Sequence, residues 1–206
     1  MRILSKLFPS AALLIFAGVL SADPIVMNGG FETGDFTGWT LSGDSTYTAI
    51  KDVNPHMGTY AAHIGADDLG GLGPGFISQD LITHPGVTYI LTFSYGEYLS
   101  NGPIIDYPDI PQHNQFEVYW GSNLVYQAVD FPTGDPEINH SYITVVKNVM
   151  ATGSLTTLKF SGIDRQADIM VDDVSAGTPE PGSMALVGSA LAAALWFKVR
   201  RRRSSR

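Results

Sequence analysis

The chain of 206 residues contains no cysteine. That excludes a disulfide, a thiol nucleophile and a zinc–thiolate site. Positive charge is almost as scarce in the middle of the chain. Between Asp23 and Pro179 four basic residues (Lys51, Lys147, Lys159 and Arg165) face 19 acidic ones, a net −15. The whole-chain value of −8 hides this, because eight of the twelve basic residues lie in the two ends. So acidic a segment repels nucleic acid and anionic lipid, and no nucleic-acid partner is expected. Its carboxylates suit calcium, a hard cation that prefers oxygen ligands, and they serve solubility equally well. Catalytic signatures are missing too. There is no G-x-S-x-G elbow and no HExxH. His56, His63, His84, His113 and His140 are scattered. Acidic residues are so frequent that a pair of carboxylates arises by chance, so no glycosidase pair is nominated.

What is present begins with the ends. Arg2 and Lys6 precede an unbroken apolar run, residues 11–20, and the small residues Ser21 and Ala22 follow. This predicts a secretory signal peptide over 1–22, a cleavable helix cut after Ala22. At the other end, residues 182–197 are apolar apart from Ser183 and Ser189, and Lys198, Arg200, Arg201, Arg202 and Arg203 follow. Sixteen residues at about 1.5 Å each fall short of a hydrocarbon core of roughly 30 Å. Snorkelling cations make up the difference, which predicts a single transmembrane helix over 182–199 with the arginines on the cytoplasmic side.

The middle, 23–177, has no helical period. Short apolar or alternating runs are broken by Gly, Pro, Asn and Asp. Strands are expected at 24–27, 47–50, 60–64, 76–81, 87–95, 115–120, 124–129, 142–150, 155–161 and 168–174, all rich in β-branched and aromatic residues. In TYILTFSY, Tyr89, Leu91, Phe93 and Tyr95 share a face. In QFEVYW, Phe116, Val118 and Trp120 oppose Gln115, Glu117 and Tyr119. Phe93, Phe116, Val118, Leu158 and Phe160 are the core candidates. Many short strands with turn chemistry between them predict an all-β sandwich or jelly roll in a single domain.

Two motifs bracket that domain: MNGGFETGDFTGW, from Met27, and MVDDVSAG, from Met170. Between them lie PHMGTYAAHI, GFISQDL, GVTYILTFSY and LTTLKFSG. In order and spacing these resemble the galactose-binding-like jelly rolls, in particular carbohydrate-binding modules that open with Asn-Gly-x-Phe-Glu and close with Asp-Asp-Val. The resemblance covers about residues 24–177. It implies a structural calcium ion joining the first and last strands. Glu32 and Asp172 would supply carboxylates, with Asp173 as the alternative to Asp172, and carbonyls near Asn28 and near Lys51 and Asp52 would complete the shell. It also implies glycan binding by exposed rings. Tyr95, Tyr98, Tyr107, Tyr119, Trp120 and Tyr126 are the aromatic candidates, and Tyr119 with Gln115 and Glu117 forms the best cluster.

Pro179, Glu180 and Pro181 stand directly before the apolar run. Pro-Glu-Pro, a short apolar helix and a terminal arginine cluster together resemble the PEP-CTERM sorting signal of Gram-negative bacteria that produce exopolysaccharide. The resemblance implies cleavage by an exosortase. It predicts an inner-membrane intermediate, then release of the domain to the cell surface or extracellular matrix. The functional expectation is a non-catalytic module for extracellular polysaccharide. A structural or adhesive protein that holds calcium but no sugar is the second reading.

Overall fold

The computed structural model describes residues 24–66, 73–98, 114–129 and 142–179, with only the backbone of residues 98 and 165–167. The expected signal helix, the transmembrane helix, Tyr107, Glu180, Pro181 and the arginine cluster lie outside the described residues. Among the described residues no helix is long and apolar enough to cross a membrane.

Nine strands lie among the described residues: β1 Thr40–Gly43, β2 Ala49–Lys51, β3 Ala61–Ala66, β4 Gly75–Ile82, β5 Thr88–Tyr98, β6 Gln115–Trp120, β7 Asn123–Val129, β8 Ile143–Met150 and β9 Leu155–Gly177. Every pairing is antiparallel. One sheet runs β1–β4–β9–β6–β7, using residues 155–163 of β9. The other runs β2–β3–β9–β5–β8, using residues 164–177. A single 23-residue strand therefore belongs to both layers. The fold is an all-β jelly-roll sandwich.

Alternation explains how the layers close. Tyr89, Leu91, Phe93 and Tyr95 of β5 are buried, as are Phe116, Val118 and Trp120 of β6. Phe93 of one sheet meets Phe160 of the other edge-on, with ring centroids 5.4 Å apart, and meets Phe116 at 6.0 Å. Tilted and edge-on rings at such spacings pack favourably beyond their buried area. Leu158 and Val118 complete this centre, both fully buried.

Three elements differ from the sequence-based expectation. Residues 24–27 form no strand; Ile25 donates a single amide bond to the carbonyl of Ala176 (2.9 Å). β1 escapes the apolar pattern because Thr-Leu-Ser-Gly is a mostly exposed stretch paired on one side only. The expected strands 155–161 and 168–174 are one element. Gly162, which reads as a breaker, lets β9 pass close between the layers: a β-carbon there would lie 3.0 Å from Ile64 Cγ2 and 3.1 Å from Ile169 Cδ1.

Candidate functional site

The opening motif folds into a clasp. Asn28, at φ 50°, turns the chain, donates its side-chain amide to the carbonyls of Asp35 and Thr37, and accepts the amide of Thr33. Its own carbonyl receives the Trp39 indole at 3.1 Å. Phe31 is fully buried and stacks at a tilt on Trp39, 5.4 Å between centroids. Gly29 lies against β9: its carbonyl accepts the amide of Val174. A β-carbon on Gly29 would fall 1.9 Å from the Val174 carbonyl oxygen. The motif that carries the family resemblance is thus accounted for by folding.

Glu32, Asp172 and Asp173 surround the loop before β3. Both oxygens of Glu32 accept backbone amides, from Thr59 (2.9 and 3.0 Å) and Tyr60 (3.0 Å). Those amides, Tyr60's foremost, hold the Glu32 carboxyl below its ordinary value. Asp172 is fully buried. Its Oδ2 accepts the amides of His56 and Met57, and its Oδ1 accepts that of Asp173. Burial outweighs these bonds and pushes the Asp172 carboxyl up to about 6. Asp173 points elsewhere and pairs with His56, whose ring packs on Tyr142 at 4.9 Å. Glu32 and Asp172 therefore grip the same loop through its amides. Among the described residues no group of three or more His, Asp or Glu side chains is arranged to hold a metal ion.

The outward face of the sheet carrying β6 holds a second constellation. Gln115, Glu117 and Tyr119 point away from the core, each half-buried. Glu117 Oε1 accepts the side-chain amides of Gln115 (2.7 Å) and Gln127 (3.0 Å). Glu117 Oε2 accepts the Tyr119 hydroxyl at 2.6 Å, which raises the Tyr119 phenol above its ordinary value. Strand register sets Lys159 of β9 opposite Tyr119 on one side and Ser78 of β4 on the other. The Lys159 ammonium lies over two rings, 4.4 Å from Tyr119 and 4.8 Å from Phe76. The result is a polar strip: a carboxylate clamped by three neutral donors, beside an ammonium held by two aromatic faces.

Of the remaining aromatic candidates, Tyr95, Trp120 and Tyr126 are not on this strip. Tyr95 is buried: it stacks on Phe116 at 4.8 Å and shares a hydroxyl bond with Tyr126 (2.7 Å). Burial, with Tyr126 beside it, pushes its phenol well up. It is a core residue because β5 continues its inward alternation to that position. Trp120 is equally buried, and Tyr126 packs on Phe93 at 5.6 Å. The side chain of Tyr98 lies outside the described residues. Sequence reasoning missed Lys159, Gln127 and Phe76, which reach the strip only through the pairing of β4, β9, β6 and β7.

Residues 178–203 match the PEP-CTERM protein-sorting motif. No curated protein matches the chain. Among solved structures, the domain is similar to TmCBM61, determined in complex with β-1,4-galactotriose. The TM-score is 0.50 at 20% identity, covering 76% of this chain and 99% of that one. It is also similar to the CBM22-1 xylan-binding domain from Paenibacillus barcinonensis, with a TM-score of 0.53 at 13% identity, covering 78% and 97%. A Stig cyclase from Fischerella sp. TAU matches with a TM-score of 0.50 at 17% identity, covering 78% and 100%. At these identities the likeness is one of fold, that of the carbohydrate-binding-module jelly rolls, and one fold hosts several chemistries.

Proposed function

We propose that this is an exported, exosortase-sorted protein whose domain binds extracellular polysaccharide, without catalysis, on the polar strip centred on Glu117 and Tyr119. The single observation that supports it most is the carboxylate of Glu117, held by Gln115, Gln127 and Tyr119 on a solvent-facing sheet. A carboxylate fixed in this way is pre-organised to accept a sugar hydroxyl, with little side-chain entropy left to lose on binding. Gln115, Gln127 and Lys159 add donors. The sorting motif at 178–203 supports delivery across the inner membrane to the surface or matrix of a Gram-negative bacterium. Isothermal titration of the secreted domain with the matrix polysaccharide of the producing organism tests the reading. Binding that is lost in Tyr119→Ala upholds it, and no binding to that polysaccharide sinks it.

One observation favours the second reading, a structural or adhesive surface protein. Lys159 covers the faces of Tyr119 and Phe76, so neither ring is an open stacking platform.

Calcium belongs to either reading. Asp172 fits a hard cation: it is buried, its carboxyl is raised, and its Oδ1 takes only the Asp173 amide. That oxygen lies 3.9 Å from where a β-carbon on Gly30 would sit, so bare backbone borders it. Glu32 fits only by sharing oxygens that already accept amides. Asp172 would hold the ion, which would tie β9 to the opening clasp and the loop before β3. Calcium should raise the melting temperature and chelator should lower it, and Asp172→Asn or Glu32→Ala should remove the difference. Identical melting with calcium and with chelator would dispose of the metal.

A further inference from the structure

Among the described residues three neutral groups hold Glu117, and no cation pairs with it. Its partners are two side-chain amides and a phenol, and the ion pairs among the described residues are those of Lys51, His56 and His63. Lys159, the cation of this face, lies over the rings of Phe76 and Tyr119 rather than against Glu117. Its cross-strand neighbours are Ser78 and Tyr119, while Glu117 stands opposite Ser161. On β4 the same face carries a second carboxylate, Asp80, which accepts the Thr157 hydroxyl at 2.6 Å. The strip therefore carries one carboxylate at its centre, another at its margin and one ammonium, a net negative charge. It sits on a domain segment of net −15.

Resting on the glycan reading, we infer that Glu117 sets the ligand class: it accepts hydroxyls of polysaccharide units that carry no charge and turns away units that carry a carboxylate. A neutral sugar unit meets Glu117 with a donor. A uronate meets it with like charge, on a half-buried surface where the repulsion is less screened than in bulk water. Two unit charges about 5 Å apart at an effective dielectric near 40 repel by roughly an order of magnitude in affinity. The Tyr119 hydroxyl and one hydrogen of each glutamine amide already donate to Glu117, which leaves each amide a single hydrogen for a ligand oxygen.

The test uses β-1,4-glucan and β-1,4-galactan oligosaccharides, each beside its C6-oxidised, carboxylated counterpart. The matrix polysaccharide of the producing organism is added before and after chemical reduction of its carboxyl groups. Titrations are run on the folded domain, on Glu117→Gln, and on Asp52→Asn, which removes one charge away from the strip. The expected result is about a tenfold preference for the uncharged form in the parent protein, with the gap closing in Glu117→Gln and persisting in Asp52→Asn. Equal or tighter binding of the carboxylated form overturns the inference, and its loss in Lys159→Gln would assign ligand class to the lysine instead. Closure of the gap in Asp52→Asn overturns it as well, because overall charge would then explain the preference. Binding by none of these probes to a folded domain overturns the glycan reading itself.

Discussion

The Tyr119 hydroxyl donates to Glu117 Oε2 at 2.6 Å across one position of the same strand. Both side chains lie on the solvent face of β6, so the bond orients a surface rather than filling a core. Tyr119→Phe should therefore leave stability within about 0.5 kcal/mol of the parent, as surface changes commonly do. It should weaken polysaccharide binding about three- to tenfold, the net worth of one ordinary hydrogen bond. Denaturant melts and calorimetric titration read the two effects separately. An unchanged affinity would show that the strip is not the binding surface.

Gly29 illustrates a constraint of another kind. Its carbonyl accepts the Val174 amide at 2.9 Å, and a β-carbon would collide with the Val174 carbonyl. Gly29→Ala must push the opening turn away from β9, and overpacking of this sort costs about 1–3 kcal/mol. Chemical denaturation should report a loss in that range. The neighbouring Gly30, whose β-carbon would come no nearer than 3.7 Å to any group, should accept alanine at smaller cost.

Glu97 gives the domain a pH dependence. It is buried at the end of β5, beside Asp164, with Asn114 donating to its Oε1 at 3.3 Å. Burial first, then Asp164, pushes its carboxyl from the ordinary 4.5 to about 8, and the Asn114 bond opposes this only partly. Between those values the folded protein keeps a proton that the unfolded chain has released. Stability from this group therefore falls as pH rises through the window and levels above it. Glu32, Asp35 and Asp168 are shifted the other way and lose stability only as pH drops below the usual carboxylate range. Melting temperature measured above about pH 6, where the raised Asp172 carboxyl no longer contributes, and up to about pH 9 should decline, and Glu97→Gln should flatten the decline. An equal slope in both proteins would refute the assignment.

The sandwich was legible because alternation is a local property: Phe116, Val118 and Trp120 declare an inward face whatever they pair with. The clasp was legible as a pattern, though its meaning was not. Asn-Gly-Gly-Phe-Glu reads as a family mark, yet Asn28, Gly29, Phe31 and Glu32 each answer a folding demand, down to the indole of Trp39 on the Asn28 carbonyl. Tyr95 misled because a tyrosine has both a ring to bury and a hydroxyl to expose, and here Tyr126 satisfies the hydroxyl inside. Lys159 was invisible as a site residue. Its place beside Tyr119, 40 positions away in the chain, depends on the register between β6 and β9. A charge's electrostatic neighbours are set by such long-range pairing, which periodicity does not encode.

The strand shared by both layers has a consequence in time as well as in space. β9 is the last strand of the domain and partners β3, β4, β5 and β6, so neither sheet has its middle until residues 155–177 arrive. The earlier strands can form only fragments, β1 with β4, β2 with β3, β5 with β8 and β6 with β7. Closing such distant pairs is entropically slow. The polypeptide is thus held open until almost its whole length has been delivered, which is the state a chain needs if it is to be threaded across a membrane before it folds.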